Sequence, residues 1–472
     1  MIISRFLFFG FLFFLSLLNA QNVIIRGYAD KFHFGKQITA YTYDDLVTYT
    51  RSPRGLDTID QRGFFEIGFD IDTPTKVELV IGNQRGNMYT LPNNYYAVLY
   101  PRPDSLYDLN PNAEYPAELG FIYKDKNDTT EINSLIINFN REYRDFFADN
   151  YQYFVAKKGY NVKLDSFMIS TFNKYEKYKL SFFKTWLSYT FAELNEEVFR
   201  DKEQLAKIYL IDKPVLHENF EYMKFFNIYF SRYLKLKVTQ KRSGGIVDAI
   251  NKDADYNTLN KILKNDFILK NDTVRELVII KCLYEMYYSP EYKRENIRSM
   301  LEFAMANTNI TKHKKIITNM LRQMLKLSPG SDAPDFSLST KKGSLISLKD
   351  MKGKYIYLDF MTSWSLPCLQ EMKEISDMKK KYGDKVIFIS ISVDENEEDF
   401  KKFIEKNPKY DWIFLWYGKD KSIKTKYNVT NIPTYYFINP EGKLIHSPAI
   451  TPTQGFEGVL HRLFDKKKKN GP

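Results

Sequence analysis

The sequence has little cysteine, with only Cys282 and Cys368 among its 472 residues. Two cysteines cannot form a disulfide framework, so the fold has to depend on hydrophobic cores. Histidine is scarce as well, and no pair of histidines has the spacing of a His-Glu-x-x-His motif. We therefore expect no metal site and no cofactor from the five scattered histidines, His33, His217, His313, His446 and His461.

Beyond its first twenty residues the chain lacks any long hydrophobic run, so no membrane span is expected in the mature protein. Residues 1–20 have the pattern of a secretory signal peptide: Arg5 precedes an apolar run at 6–18, and Ala20 supplies a small residue at or near the cleavage site. The sequence thus predicts export to the periplasm, an oxidising compartment. Cys282 and Cys368 could pair there, but Cys282 lies in an apolar helical stretch, which favours two separate thiols.

Charge of one sign is not concentrated anywhere in the folded part of the chain. The formal net charge is +11, yet the 69 Lys and Arg residues are spread along the chain among 58 Asp and Glu residues. This pattern indicates a solvated surface and argues against nucleic-acid binding. The 44% hydrophobic content is typical of a globular protein, and 472 residues are enough for two or three domains.

Residues 21–110 have the pattern of β-strands. Apolar residues alternate with polar or small ones at Phe65, Ile67 and Phe69, and clusters of turn residues separate the runs, among them Ser52-Pro53-Arg54-Gly55. We expect an N-terminal antiparallel β-sandwich without a catalytic constellation.

Residues 125–327 change to helical periodicity and predict an all-α middle domain. The segment 274–288 is largely apolar, and Thr273 with Glu276 has the spacing of a capping box. The aromatic residues between 220 and 230 could form a ligand or partner groove, although packing between helices is the simpler interpretation. One helix face is expected to be formed by Ile316, Ile317, Met320, Leu321, Met324 and Leu325.

Residues 330–466 return to alternating strands and helices, which indicates a C-terminal α/β domain. Its segments include an opening strand at 333–338, the stretch 348–354 that leads into a buried strand at 355–360, a strand at 386–394 and the run at 431–443, which contains Ile432 and Pro433. Together these segments resemble the TlpA-like branch of the thioredoxin family. The strand spacing and the turn at 60–64 resemble the N-terminal sandwich of exported proteins of the Bacteroidetes type. The resemblance implies a thioredoxin fold and the ancestry of a thiol-disulfide oxidoreductase.

The run Trp364-Ser365-Leu366-Pro367-Cys368 resembles the Trp-Cys-x-x-Cys redox site of that family with its first cysteine replaced by serine. By this resemblance Ser365 occupies the position of the nucleophile, Cys368 that of the resolving thiol, and Pro367 opens the helix. Trp364 would pack beside the turn, with a plain core or surface aromatic as the alternative. A serine hydroxyl cannot form the mixed disulfide that dithiol exchange requires.

Two further positions complete the site that the resemblance implies. Asp359 matches the buried carboxylate that exchanges protons with the resolving thiol, and we expect its pKa to be raised. Ile432-Pro433 matches the cis-proline at the edge where family members align an extended substrate segment.

Three functions follow as alternatives. The first is a non-catalytic binding or chaperone-like module of the cell envelope, with an unfolded or extended polypeptide or an envelope protein as its partner. The second is a monothiol redox protein or a peroxiredoxin-like peroxidase that acts through Cys368, whose pKa a helix N-terminus would lower. The peroxidase pattern is incomplete, because Met361 stands where that family has proline and no arginine occurs between Arg322 and Arg462. The third is an activity in the helical region, for which no motif is present.

Overall fold

The structure is a computed structural model that describes the chain in nine stretches. The predicted signal peptide at 1–20 and the boundaries predicted near 110 and 125 lie outside these described residues. No helix among the described residues is long and apolar enough to cross a membrane. The stretches cover residues 21–103, 115–122, 131–156, 159–198, 200–239, 245–289, 291–418, 422–429 and 431–465.

The N-terminal region is β-rich, as predicted, and its strands form two sheets. One sheet has the order β4-β1-β7-β9 and the other the order β3-β2-β5-β6-β8. The strands are β1 (Val23–Ala29), β2 (Gln37–Tyr43), β3 (Arg51–Thr58), β4 (Phe64–Phe69), β5 (Thr75–Ile81), β6 (Gln84–Thr90), β7 (Asn94–Tyr100), β8 (Tyr115–Ala117) and β9 (Gly120–Phe121).

The strand alternation in the sequence identifies the buried face correctly. Phe65, Ile67 and Phe69 of β4 and Val77 and Leu79 of β5 are buried in one hydrophobic cluster to which both sheets contribute. The period of two in the sequence places every second side chain on that inner face.

Two details of the predicted sandwich are wrong. The strand pairs are not all antiparallel, because β1 with β7 and β6 with β8 run parallel. The chain enters β7 from the other sheet, and strands joined by a crossover instead of a hairpin are free to run parallel. The second error concerns Ser52–Gly55, predicted as a turn, which lies inside β3. Since β3 is an edge strand with a bulge opposite Ala40 and Tyr41, Pro53 is tolerated there.

The middle region consists of eleven helices among its described residues. Helix α9 is buried on several sides, as its apolar sequence predicts, and α11 buries Ile316, Ile317, Met320 and Met324 but leaves Leu325 exposed. The helices are α1 (Ile132–Val155), α2 (Tyr160–Tyr175), α3 (Ser181–Glu197), α4 (Lys202–Tyr209), α5 (Phe220–Tyr229), α6 (Tyr233–Thr239), α7 (Ile246–Asn251), α8 (Tyr256–Leu263), α9 (Asp272–Tyr287), α10 (Arg294–Asn307) and α11 (Thr311–Lys326).

The aromatic run in and after α5 packs in the core of this region. Tyr222, Phe225, Phe226, Tyr229 and Phe230 are all buried in one cluster with residues of α9 and α10. These side chains supply large apolar area between helices, so core packing accounts for them and no ligand groove is needed.

The C-terminal region has the thioredoxin fold, as predicted. Its seven-stranded sheet has the order β11-β10-β14-β13-β12-β15-β16, with parallel central strands β12, β13 and β14 and antiparallel β15 and β16. The elements are β10 (Ser337–Ser339), β11 (Leu345–Ser347), β12 (Tyr355–Met361), α12 (Leu366–Tyr382), β13 (Val386–Ser392), α13 (Glu397–Lys406), β14 (Ile413–Trp416), α14 (Ser422–Lys426), β15 (Thr434–Ile438), β16 (Leu444–Ala449) and α15 (Glu457–Asp465).

Polar contacts join the three regions. The side-chain amide of Asn319 in α11 donates to Asp45 in the β-rich region at 2.7 Å, and that of Asn227 in α5 donates to the carbonyl of Leu46 at 2.7 Å. On the other side, Arg294 of α10 donates to the carbonyl of Ser447 in β16. The helical region therefore contacts both of its neighbours.

Candidate functional site

The turn between β12 and α12 carries the predicted site. β12 is fully buried toward its C-terminal end, and the chain leaves it at Met361 to enter α12 at Leu366. Ser365 is the N-cap residue with an extended backbone, and its carbonyl accepts the N–H of Leu369 at 3.1 Å. Pro367 follows in the first turn, where the missing N–H of proline leaves no hydrogen bond unmade.

Asp394, just after β13, fixes the backbone of this turn. Its two carboxylate oxygens accept the N–H of Ser363, each at 3.0 Å, and Oδ1 accepts the Ser363 hydroxyl at 3.1 Å. The hydroxyl of Ser392 donates to Oδ2 of Asp394 at 2.7 Å. Asp394 is a site residue that was not predicted, although an acidic residue just beyond the C-terminal end of a buried parallel strand is a signal for this edge of a sheet.

The Cys368 thiol is buried, with 1% of the residue exposed, and packs against Met361, Met372 and Phe400. Burial raises the pKa of Cys368, and the carboxylates of Asp359 and Asp394 raise it further. The Ser365 hydroxyl and the backbone of Thr362 favour the thiolate but do not reverse this direction. Desolvation is the largest of these effects, so the pKa of Cys368 is raised and not lowered, although the thiol lies at a helix N-terminus.

Asp359 lies in the middle of the sheet, completely buried in β12. Its Oδ1 accepts the hydroxyl of Ser390 at 2.6 Å, and the same hydroxyl accepts the indole N–H of Trp412 at 2.8 Å. Within the part of the chain that the structure describes, Oδ2 of Asp359 has no hydrogen-bond partner. Burial raises the pKa of Asp359 to about 7, with a smaller contribution from Glu371. A raised pKa at this position is what the sequence predicted.

The Ile432–Pro433 peptide bond is cis, as predicted. We call residues 431–433 the proline loop. Ile432 packs against the cluster that contains Cys368, so this loop lies next to the buried thiol. Asn431 in the same loop accepts a hydrogen bond from Arg232 of the helical region at 3.1 Å. This contact between regions has no signal in the local sequence.

Three large apolar side chains in the turn and at the start of α12 are exposed. Trp364 is 77% exposed and Leu366 is 64% exposed, and Leu369 is exposed one turn further along α12. We call these three residues the apolar rim. Trp364 is therefore a surface aromatic and does not pack into the protein beside the turn. Several exposed large apolar side chains within one short segment are typical of surfaces that bind a partner.

The histidines do not form a metal centre with acidic or cysteine ligands: no group of three or more His, Cys, Asp or Glu side chains that could hold a metal ion occurs in the described stretches. Two histidines nevertheless meet, 96 residues apart in the sequence, with 2.9 Å between the Nε2 atoms of His217 and His313. Nδ1 of His313 lies 2.6 Å from Oε1 of Glu276. Glu276 is thus not part of a capping box; the α9 N-cap is Asn271, whose side chain accepts the N–H of Val274.

Comparison with known proteins assigns the C-terminal region to a family. Residues 329–447 match the AhpC/TSA family. Thioredoxin-like protein YneN of Bacillus subtilis is 35% identical over 127 residues, which make up 26% of this chain and 75% of that protein. The chain belongs to the thioredoxin-like AhpC/TSA family.

Members of this family that resemble the chain include thiol-disulfide oxidoreductases. Thiol-disulfide oxidoreductase ResA of Bacillus cereus is 33% identical over 141 residues, 29% of this chain and 80% of that protein. Among solved structures, the thioredoxin domain of a thiol-disulfide oxidoreductase from Bacteroides vulgatus is 28% identical, with a TM-score of 0.27 and coverage of 29% of this chain and 97% of that one. The chain has one cysteine at its own site, Cys368, with Ser365 three residues before it.

Proposed function

We propose that the protein is an exported thioredoxin-like module that binds an extended or unfolded polypeptide of the cell envelope and does not catalyse disulfide exchange. The observation that carries this proposal is the contrast between a buried Cys368 thiol of raised pKa and the exposed apolar rim formed by residues of the same turn and helix start. A buried thiol of raised pKa is a poor nucleophile for exchange, whereas exposed apolar side chains and an edge that carries a cis-proline suit polypeptide binding.

The surrounding domains extend this proposal. A signal peptide at 1–20 and a periplasmic location are part of it, as are the domain boundaries 21–110, 125–327 and 330–466 and the description of the first domain as a β-sandwich. In this arrangement the helical domain contacts the proline loop through the hydrogen bond from Arg232 to Asn431 and helps to hold that loop in place.

A second candidate, monothiol chemistry at Cys368, draws support from one observation. The Ser365 hydroxyl and the Thr362 backbone both favour the thiolate of Cys368. A peroxidase draws less support, because the charges that act on the thiol are the carboxylates of Asp359 and Asp394, and both oppose ionisation. A peroxide-reducing thiolate needs a positive partner instead.

The test is binding of a reduced, carboxymethylated and permanently unfolded protein, labelled and followed by fluorescence anisotropy. Replacing Trp364 and Leu366 together by alanine should weaken binding by about tenfold or more, because burial of two large side chains is lost. Leu345→Ala is the matched control, since Leu345 is 62% exposed at the far edge strand of the same sheet. Unaltered binding by the rim variant, or no binding by the original protein, would refute the proposal.

A further inference from the structure

The C-terminal end of α1 is exposed on every side although its sequence is largely apolar. All residues of the run Tyr-Gln-Tyr-Phe-Val-Ala at 151–156 are exposed, Tyr151 by 55% and Val155 by 59%. A helical segment that is apolar on all of its faces is normally buried, either in a protein core or in lipid. Within the described stretches of the chain, nothing buries this one.

Core packing accounts for the earlier part of α1 only. Ile132, Leu135 and Phe139 are buried in a cluster that also contains residues of α2 and α3, and their spacing places them on one face of the helix. The α1 residues of that cluster end at Phe147, one turn before Tyr151. The apolar residues beyond that point therefore have no role in this core.

The first turn of α2 belongs to the same surface. α2 begins after Gly159, whose left-handed backbone, with a φ of 80°, allows the chain to turn back. The rings of Phe154 and Tyr160 have their centres 5.3 Å apart, so the end of α1 and the start of α2 meet. Val162 in this turn is 69% exposed. We call the exposed residues of both helices the hairpin tip: Tyr151, Tyr153, Phe154, Val155 and Val162.

The charges in this segment of the sequence are all positive. Between Asn150 and Leu164 there are three lysines and no aspartate or glutamate. One of them, Lys163, has its amine 5.4 Å from the centre of the Tyr153 ring, which places positive charge at the hairpin tip itself. Such a surface attracts an anionic one, and it repels a second copy of itself.

A cavity of about 320 Å³ opens beside the hairpin tip. Phe154 and Val155 line it from α1, Tyr160 from α2 and Val198 from the end of α3. Glu197 lines it as well, and burial raises the pKa of Glu197, which reduces the repulsion between this carboxyl group and an anion. The apolar walls of the cavity suit an acyl chain.

We infer that the hairpin tip binds the surface of a membrane that contains anionic phospholipid. Aromatic side chains favour the boundary between headgroups and acyl chains, and lysines bind the phosphate groups at the same depth. A membrane surrounds a projecting helix end on all sides, whereas a protein groove covers one face of it. The inference goes beyond the polypeptide binding proposed for the thioredoxin domain and does not depend on it.

The experiment is co-sedimentation with vesicles of the chain from Gln21 onward, because the apolar run at 6–18 would itself enter lipid. Vesicles of phosphatidylethanolamine and phosphatidylglycerol are compared with vesicles of phosphatidylcholine alone. We expect binding to the anionic vesicles that weakens as the salt concentration increases. Val155→Asp combined with Val162→Asp should weaken it by about tenfold or more, because two apolar side chains are lost and two negative charges are added.

Ile208→Asp combined with Leu325→Asp is the matched control. It adds the same charge at two exposed apolar positions, on α4 and α11, and should leave most of the binding intact. Replacing Trp364 and Leu366 by alanine should also leave it intact, because the apolar rim is a separate surface. Equal weakening by the hairpin-tip variant and the matched control would mean diffuse electrostatic attraction and would overturn the inference. All substituted positions are exposed, so thermal unfolding should show that each variant is folded.

Other outcomes would also overturn the inference. These are no binding to anionic vesicles at millimolar lipid, and equal binding to phosphatidylcholine vesicles. Self-association that the hairpin-tip variant abolishes, without any vesicle binding, would identify a second copy of the chain as the occupant. None of these outcomes bears on the function proposed for the apolar rim, because that function is measured with an unfolded protein and without lipid.

Discussion

The hydroxyl of Ser390 donates to the buried carboxyl group of Asp359 across the β12–β13 pair, with 2.6 Å between Oγ and Oδ1. One neutral hydrogen bond does not compensate for the loss of water around a charged carboxylate. The pKa of Asp359 is accordingly about 7, well above that of an exposed aspartate. A carboxyl group of this kind remains protonated in the folded protein over a range of pH where the unfolded chain has already lost the proton.

The first prediction concerns stability against pH. Because the folded pKa of Asp359 is raised from 3.8 to about 7, its ionisation destabilises the fold progressively as pH increases through that window. Asp359→Asn should therefore stabilise the protein more at pH 8 than at pH 5, by a difference on the order of 2 kcal/mol. Urea unfolding at the two pH values measures it. Asp399→Asn, at an exposed position, should show no such difference.

The second prediction concerns thiol reactivity. In a Cys282→Ser background, Cys368 should react slowly with iodoacetamide at pH 8 in the folded protein and quickly in urea, because burial disfavours its thiolate. The measurement is the alkylation rate as a function of pH. Rapid reaction below about pH 7 would instead favour the monothiol alternative.

The third prediction restores the missing cysteine. The chain as it stands should not reduce insulin with dithiothreitol as the electron source, because Ser365 cannot form a mixed disulfide. Ser365→Cys should form an internal disulfide with Cys368 and gain measurable exchange. Failure of the double-cysteine variant to form that disulfide would show that Ser365 does not occupy the nucleophile position. Insulin reduction by the original protein that Cys368→Ala abolishes would contradict a non-catalytic role.

Local sequence patterns were sufficient for much of this fold. The thioredoxin domain could be predicted because its central strands are short continuous apolar runs, which is how strands covered on both faces appear in a sequence. The cis peptide bond before Pro433 and the buried Asp359 followed from the family resemblance. The predicted turn at 52–55 was wrong because of Pro53. A proline in a sequence indicates a turn unless the strand is known to lie at the edge of a sheet, where it is tolerated.

Contacts between distant segments could not be predicted in this way. His217 and His313 are brought together only by the packing of α11 against the loop before α5. Likewise, the contact of Arg232 with Asn431 depends on how the helical and thioredoxin regions pack. Hydrophobic periodicity specifies which face of an element is buried but not which other element covers it.

The last prediction concerns this histidine pair. Burial, His313 and Lys312 together lower the pKa of His217 to about 4, so the folded protein disfavours its protonation while the unfolded chain accepts a proton near pH 6.5. Stability should therefore decrease as pH decreases from 6.5 towards 4. The effect of His217 on the free energy of unfolding is opposite in sign to that of Asp359 over part of the same pH range. Each effect is therefore measured as the difference between a variant and the original protein.

His217→Gln should reduce the loss of unfolding free energy between pH 6.5 and pH 4 by on the order of 1 kcal/mol in urea unfolding, whereas His461→Gln on α15 should leave that loss unchanged. An unchanged slope in His217→Gln would mean that the pair shares a proton in the folded state and that His217 does not remain neutral.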